Sequence, residues 1–256
     1  MKDALEHSLE RTVLIRARRE TVFRYFTDNA RFARWWGEGS TVEARRGGAV
    51  RIRYPNGVMA GGEMLEVVEN ERVAFTYGFE SGNPMPVGAS RVTVTLEDHR
   101  EGTLVRLRHD LADAAARDAH VQGWRYQMAV FATVVAAEQH AAVAALVDRF
   151  LAAWSEPDQA RRRATLEEIA TPDLTFRDQY SCTAGVDDLD PHLAAAQRFM
   201  PGLVLRREGE VGQCQGTAVA RWVATGPDGA PRGSGIDVFE LAPDGRLARV
   251  VGLWGA

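Results

Sequence analysis

Lysine is almost absent: Lys2 is the only one in 256 residues, and arginine carries nearly all of the positive charge. With a formal net charge of −4 there is no basic excess, so neither nucleic acid nor an anionic membrane surface is an expected partner. Cysteine is as scarce. Cys182 and Cys214 form neither a metal-ligand spacing nor a disulfide framework, and they read as buried or inert thiols. The histidines (His7, His99, His109, His120, His140, His192) are scattered without an HExxH-type cluster, so no metal is expected. No apolar run approaches the roughly 18 residues of a membrane span. The opening MKDALEHSLERT has no apolar core, so no signal peptide is expected. A Gly-rich phosphate loop is missing too: the pairs Gly47-Gly48 and Gly61-Gly62 lie between strand-like runs and read as turns. The expectation from these absences is a cytoplasmic protein with no cofactor.

What is present is ordinary globular material, 45% hydrophobic and 26% charged. At about 100–200 residues per domain the length suggests two domains or one large one. Thr12–Ala17 reads as a strand. Val22, Phe23, Phe26, Phe32 and Trp36 recur at helical spacing, with a break expected near Asp28-Asn29. Short strand-like runs follow at Ser40–Ala44, Ala49–Tyr54, Val58–Val68, Arg72–Phe79, Ser90–Glu97 and Leu104–His109. Between two of them, Asn56-Gly57 predicts a type I′ hairpin, which needs positive φ at both residues. Asp113 to about Trp154 lacks proline and carries two apolar stripes, so two successive helices are expected there. The domain boundary is placed near Glu138–His140, giving domains 1–139 and 140–256.

The second half orders its elements differently. Arg162–Ile169 and Pro191–Phe199 read as helices, and Thr171-Pro172-Asp173 as the start of a turn. Leu174–Tyr180, Val204–Glu210, Thr217–Thr225, Ser234–Leu241 and Ala248–Trp254 read as strands. Strand parity then singles out two carboxylates. Asp178 shares a face with Leu174, Phe176 and Tyr180, and Asp237 shares one with Phe239 and Leu241. A carboxylate among apolar groups costs free energy when ionised, so its pKa is expected to rise. Two such groups suit proton shuttling beside a carbonyl, one as ionised base and one as neutral acid. Other readings stay open: Asp178 could cap the turn before Ser181, and Asp237 could pair with Arg221. His192 reads as a surface residue beside Pro191, and Arg51 and Arg53 as a solvated face.

Three stretches of the first half, RARRETVFRYFTDNARFARWWG, GGEMLEVVENERVAFTY and HVQGWRYQMAVFATV, resemble the START-like (SRPBCC) superfamily. The nearest branch is the homologues of the heat-shock protein 90 ATPase activator. The resemblance implies an α+β helix-grip domain, an antiparallel sheet gripping a long C-terminal helix with an apolar cavity between. Candidate lining residues are Trp35, Trp36, Tyr54, Tyr77, Phe79, Met85 and Trp124. They could equally fill the core, since aromatics dominate core area.

In the second half, ALVDRFLAAWSEPD, TLEEIATPDLTFRDQYS and GSGIDVFELAPDGRLARVVGLWG resemble the nuclear transport factor 2-like fold, a cone-shaped α+β barrel. Within it the SnoaL-like polyketide cyclases and ketosteroid isomerases are the nearest enzymes. The resemblance places Asp178 at the isomerase's general base and Asp237 at its protonated oxyanion-hole aspartate, a role pattern well described for that isomerase. Phe150 stands where the isomerase has a tyrosine, so one oxyanion donor is missing. Phe150, Trp154, Phe176, Tyr180, Trp222, Phe239 and Trp254 are the candidate ligand-lining residues. The leading expectation is a hydrophobic small molecule handled in this C-terminal cavity by cofactor-independent acid–base chemistry. The alternatives are a non-catalytic carrier or sensor and a co-chaperone-like interaction module. A homodimer is also expected, since cone-type domains pair through their sheets.

Overall fold

Residues 5–255 are described in a computed structural model of the chain. They form two units, each with its own sheet and apolar core, and the division falls between Ala136 and Ala137. Among the described residues no single helix is long and apolar enough to cross a membrane.

The N-terminal unit begins with β1 (His7–Ile15), α1 (Arg19–Arg24) and α2 (Asn29–Trp36). It continues with β2 (Thr41–Val42), β3 (Ala49–Arg53), β4 (Met59–Val68), β5 (Arg72–Phe79), β6 (Ser90–His99) and β7 (Gly102–Leu111). The long helix α3 (Ala114–Gln139) follows. The strands form one antiparallel sheet ordered β1-β7-β6-β5-β4-β3-β2. The break near Asp28 is a helix start: the Asp28 carboxylate accepts from the Arg31 N–H and caps α2. Period-two alternation decides which sheet face is buried. In β6, Ser90, Val92, Val94 and Leu96 are buried while Arg91 is exposed. Trp124, Met128, Phe131 and Val135 of α3 join these strand residues in one apolar core. Phe131 packs on Trp35 at 4.8 Å and Phe26 at 5.1 Å between ring centroids. The Tyr25 hydroxyl donates to the Val134 carbonyl of α3 at 2.8 Å.

Two turn assignments change. Only Gly57 has positive φ in the β3–β4 connection, because Pro55 precedes Asn56 and the Gly57 N–H bonds back to the Tyr54 carbonyl. The hairpin is therefore not type I′. Gly61-Gly62 is no turn at all; it lies inside β4, where a Cβ on Gly62 would collide with the Thr76 carbonyl oxygen of β5. Glycine is needed there for close backbone approach.

The C-terminal unit comprises α4 (Val143–Ala153), α5 (Gln159–Ile169), β8 (Ala170–Arg177), β9 (Cys182–Ala184) and α6 (Val186–Phe199). Then come β10 (Val204–Cys214), β11 (Thr217–Thr225), β12 (Pro231–Leu241) and β13 (Leu247–Trp254). Its sheet runs β10-β11-β12-β13-β8-β9, with β13 and β8 parallel and the rest antiparallel. Thr171-Pro172-Asp173 belongs to β8 and starts no turn. Strand β8 also stops at Arg177, earlier than its apolar pattern suggests, and Tyr180 lies beyond it, 71% exposed. Both cysteines are exposed, not buried.

One ion pair in this unit is fully sequestered. Arg162 of α5 donates from Nε to Asp190 Oδ1 of α6 at 2.6 Å, and both side chains are at most 3% exposed. Arg162 also donates to the Glu156 carbonyl, and Gln159 to Asp190 Oδ2, so the buried charges are hydrogen-bonded on several sides. Removing one partner leaves an uncompensated buried charge. Asp190→Ala is expected to lower unfolding stability by about 3–5 kcal/mol. Urea denaturation of wild type and variant checks this, and a loss under about 1 kcal/mol would refute it.

Candidate functional site

The N-terminal unit holds a cavity of about 670 Å³. That is in the range of sites for drug-sized molecules, roughly 300–1,000 Å³. Several elements shape it. Trp35 and Trp36 come from the last turn of α2, Tyr54 follows β3, and Tyr77 and Phe79 end β5. Helix α3 supplies His120, Gly123, Trp124 and Gln127. The rings meet edge to face: Trp36 lies 5.7 Å from both Tyr54 and Trp124, and Tyr77 lies 5.4 Å from Phe79. Trp36, Tyr77 and Trp124 are buried, whereas Val58 and Tyr126, which also line the cavity, are exposed.

A directional hydrogen-bond chain runs beneath the aromatic wall. The Trp124 indole N–H donates to His109 Nδ1 at 3.0 Å, so that nitrogen carries no proton. Burial, and next the nearby His120, hold His109 far below its ordinary value, at about 3. It is thus neutral, with its proton on Nε2, which lies 2.8 Å from Ser90 Oγ. Ser90 Oγ in turn donates to the Tyr77 carbonyl at 2.8 Å. The Tyr54 and Tyr77 hydroxyls sit 2.7 Å apart. Burial pushes both phenol groups up, so both stay protonated. Helix α2 is tied to α3 by a hydrogen bond from the Gln127 amide to the Trp35 carbonyl.

The C-terminal unit presents a different site. Asp237 of β12 is 5% exposed, and its Oδ1 accepts from the Trp222 indole N–H at 2.9 Å. Arg221, the alternative partner, is exposed on the opposite face of β11. Burial dominates and pushes the Asp237 carboxyl up to about 7, with the Trp222 hydrogen bond opposing and the Asp178 charge adding. Asp178 is half-buried just past β8. Its Oδ1 accepts from the Tyr180 N–H, as a turn cap does, and its Oδ2 from the Trp254 indole at 3.0 Å. Trp222 and Trp254 themselves pack at 4.8 Å. A Cβ on Gly252 would sit 3.1 Å from Asp237 Oδ1 and 3.3 Å from Asp178 Cβ, so this glycine separates the two acids. The void they share is only about 10 Å³, room for about one water.

The structure brings together Trp35, Trp36, Tyr54, Tyr77, Phe79 and Trp124 around the large cavity. Met85 is not among them; it packs with Leu111 and Ala116 instead. Trp154, Phe176, Trp222 and Trp254 surround the small void together with Asp178 and Asp237. Phe150 and Phe239 do not reach it and pack on each other in the core at 5.7 Å. Tyr180 lies against Trp254 on the surface because β8 ends before it. His192 is half-buried against Trp154 and Phe176, not a free surface residue. Sequence reasoning missed His120, Gly123 and Gln127. His120 and Gln127 lie four before and three after Trp124 on α3, which was the available signal, and Gly123 lies at helical spacing from both of them. Among the described residues no group of three or more His, Cys, Asp or Glu is placed to hold a metal ion.

No curated protein matches the chain. Among solved structures, a protein of the SnoaL-like family from Agrobacterium tumefaciens is 26% identical, with a TM-score of 0.43. That match covers 46% of this chain and 99% of that one. The Aha1 dimer of Colwellia psychrerythraea is 19% identical over 48% of this chain and 90% of its own, with a TM-score of 0.42. CalU16 of Micromonospora echinospora is 22% identical over 49% and 71%, with a TM-score of 0.41. A family model described as activator of Hsp90 ATPase homolog 1-like protein matches residues 16–136. Those residues, which include the whole aromatic cavity, are thus the part of the chain that matches the Hsp90 ATPase activator homolog 1-like family.

Proposed function

We propose that the protein binds an apolar small molecule and that the N-terminal cavity holds it. The observation that carries this reading is about 670 Å³ of space walled by Trp36, Tyr54, Tyr77, Phe79 and Trp124. The ligand expected in the C-terminal cone would meet a void of about 10 Å³ there, so binding is assigned to the other unit. Gly123 of α3 lines the same cavity and is exposed, and a Cβ there would touch nothing within 4 Å, so a larger side chain at this position would enter open space.

A specific observation favours a second role for the carboxylate pair. Asp237 keeps its proton up to about neutral pH while Asp178, held by two N–H donors, stands beside it. This is the division into acid and base that carbonyl proton transfer uses, and it calls for no cofactor. In this reading Trp154, Trp222 and Trp254 must move to admit a substrate.

Two experiments test these readings. Pyrene, titrated against tryptophan fluorescence, is expected to bind wild type and to bind Gly123→Phe at least about tenfold more weakly, with no loss in melting temperature. Equal binding to both would remove the cavity from the argument. For Asp237, the folded-state pKa lies above the unfolded one, so the folded protein holds the extra proton between about pH 4 and 7. Its stabilising contribution is full below that window and is lost as pH rises through about 7, an effect of up to about 4 kcal/mol. His109 acts with the opposite sign: its lowered pKa costs stability as pH falls below its ordinary value. The difference between Asp237→Asn and wild type isolates Asp237. Urea midpoints are expected to show the variant gaining on wild type between pH 5 and pH 8. A pH-independent difference would mean that Asp237 titrates normally.

A further inference from the structure

Of the described residues that line the small void beside the carboxylate pair, Trp154, Phe176, Leu205, Trp222, Asp237 and Gly252 are buried. The other two, Asp178 and Trp254, are half-exposed, so the void comes nearest to solvent on their side. Both lie where the sheet stops. Trp254 is the last residue of β13, and Asp178 follows the end of β8. The next ring outward from Trp254 is that of the exposed Tyr180, 5.5 Å away, on the turn that Asp178 itself begins.

The three indoles around the void are held differently. Trp222 is buried, and its ring lies so close over Gly235 that a Cβ there would come within 2.5 Å of Cζ2. Trp154 is buried too, with the Phe176 and His192 rings each 5.6 Å away. Trp254 has less around it. Its ring meets Trp222 on one side and exposed Tyr180 on another, and a Cβ on Gly233 would reach it only at an ordinary contact distance of 3.5 Å. Its one polar tie is the hydrogen bond from the indole N–H to Asp178 Oδ2 at 3.0 Å. The second carboxylate oxygen, Oδ1, is held by the Tyr180 N–H within the turn, a bond that does not depend on Trp254.

Resting on the acid–base reading of this pair, we infer that Trp254 is both the gate to the two carboxylates and the cap on the base. Swung outward, it opens the void on its solvent side and withdraws the N–H from Asp178 Oδ2 in one movement. That oxygen is then free to take a proton from the carbon beside a carbonyl. The C–H bond breaks, its electron pair forms the carbon–carbon double bond, and the Asp237 O–H gives its proton to the carbonyl oxygen, leaving an enol. With Trp254 in place the base is occupied and the void has room for about one water. The slot that the indole vacates is bounded by the Trp222 ring and the Gly233 backbone. It suits a carbonyl compound whose flat body is no larger than an indole.

Access and chemistry are read separately on the intact chain. A water-soluble carbodiimide with glycine ethyl ester labels carboxyl groups, and peptide mass spectrometry gives the rate at Asp237. That rate is expected to rise about tenfold in Trp254→Ala, to rise also in Trp254→Phe, and to stay at the wild-type value in Trp154→Phe. The base is read by exchange of the protons beside the carbonyl of 2-tetralone in deuterium oxide, followed by proton NMR. Exchange above the buffer rate is expected in wild type and about threefold faster in Trp254→Phe, which keeps a ring but lacks the N–H that caps Asp178. A tryptophan that served packing alone would lower the rate when cut back. Equal labelling of Asp237 in wild type and the Trp254 variants, or faster labelling in Trp154→Phe alone, would overturn the gate. Exchange that is present but no faster in Trp254→Phe would overturn the cap. Faster labelling with no exchange above buffer in any of these proteins would sink the acid–base reading and leave the gate standing. If Trp254→Ala does not fold, the comparison of Trp254→Phe with wild type decides.

Discussion

Along α3, Met128, Phe131 and Val135 are buried against the seven-stranded sheet, and the same helix one to two turns earlier carries Trp124 and His120. Burial of the later stripe sets how the earlier turns sit. Apolar area removed from water, at about 25 cal/mol per Å², holds the helix on the sheet. Once Phe131 is wedged among Phe26, Trp35 and the sheet, Trp124 has one place to put its indole N–H, on His109 Nδ1. The cavity is the space left where this packing stops and the rings of Trp36, Tyr54 and Phe79 face each other without filling the gap.

The two units treat buried polarity in opposite ways. In the N-terminal unit the neutral chain from Trp124 through His109 and Ser90 to the Tyr77 carbonyl is satisfied internally. In the C-terminal unit the carboxylates are each held by an indole N–H, and the space beside them is nearly closed. A neutral hydrogen-bond chain tolerates an apolar site; two carboxylates in one void do so only if one keeps a proton. The raised Asp237 pKa follows mainly from burial, opposed by the Trp222 hydrogen bond, with the nearby Asp178 charge adding the smallest part.

Many of these features are legible in the sequence. The strand runs, the helix start at Asp28 and the passage from α3 to α4 follow from period, capping and the absence of proline, all local causes. Parity alone places Asp237 on the apolar face, and it is buried there. Parity fails at Tyr180 because it assumes a strand that continues, and β8 ends at Arg177, where the chain turns back through the Asp178 N–H to the Ser181 carbonyl. The turn at Asn56-Gly57 departs from type I′ because Pro55 fixes the preceding φ. His120 escapes a sequence reading because a lone histidine in a helical stretch has no local signature of its tautomer or its neighbours.

The sequence by itself determined most of the strands and helices, since alternation and helical period act over a few residues, while the mixed α+β class of both halves and the aromatic set of the first were implied by the family resemblance. Tertiary structure alone decided how much space those residues leave. Six aromatic side chains from α2, β5, α3 and the end of β3 can fill a core or ring a cavity with the same pattern, and only the distance at which the helix settles on the sheet separates the two. The same holds for the carboxylates. Asp178 and Asp237 are 59 positions apart in numbering, and their shared void depends on β13 lying between β12 and β8. That is a property of sheet order, which no local pattern records.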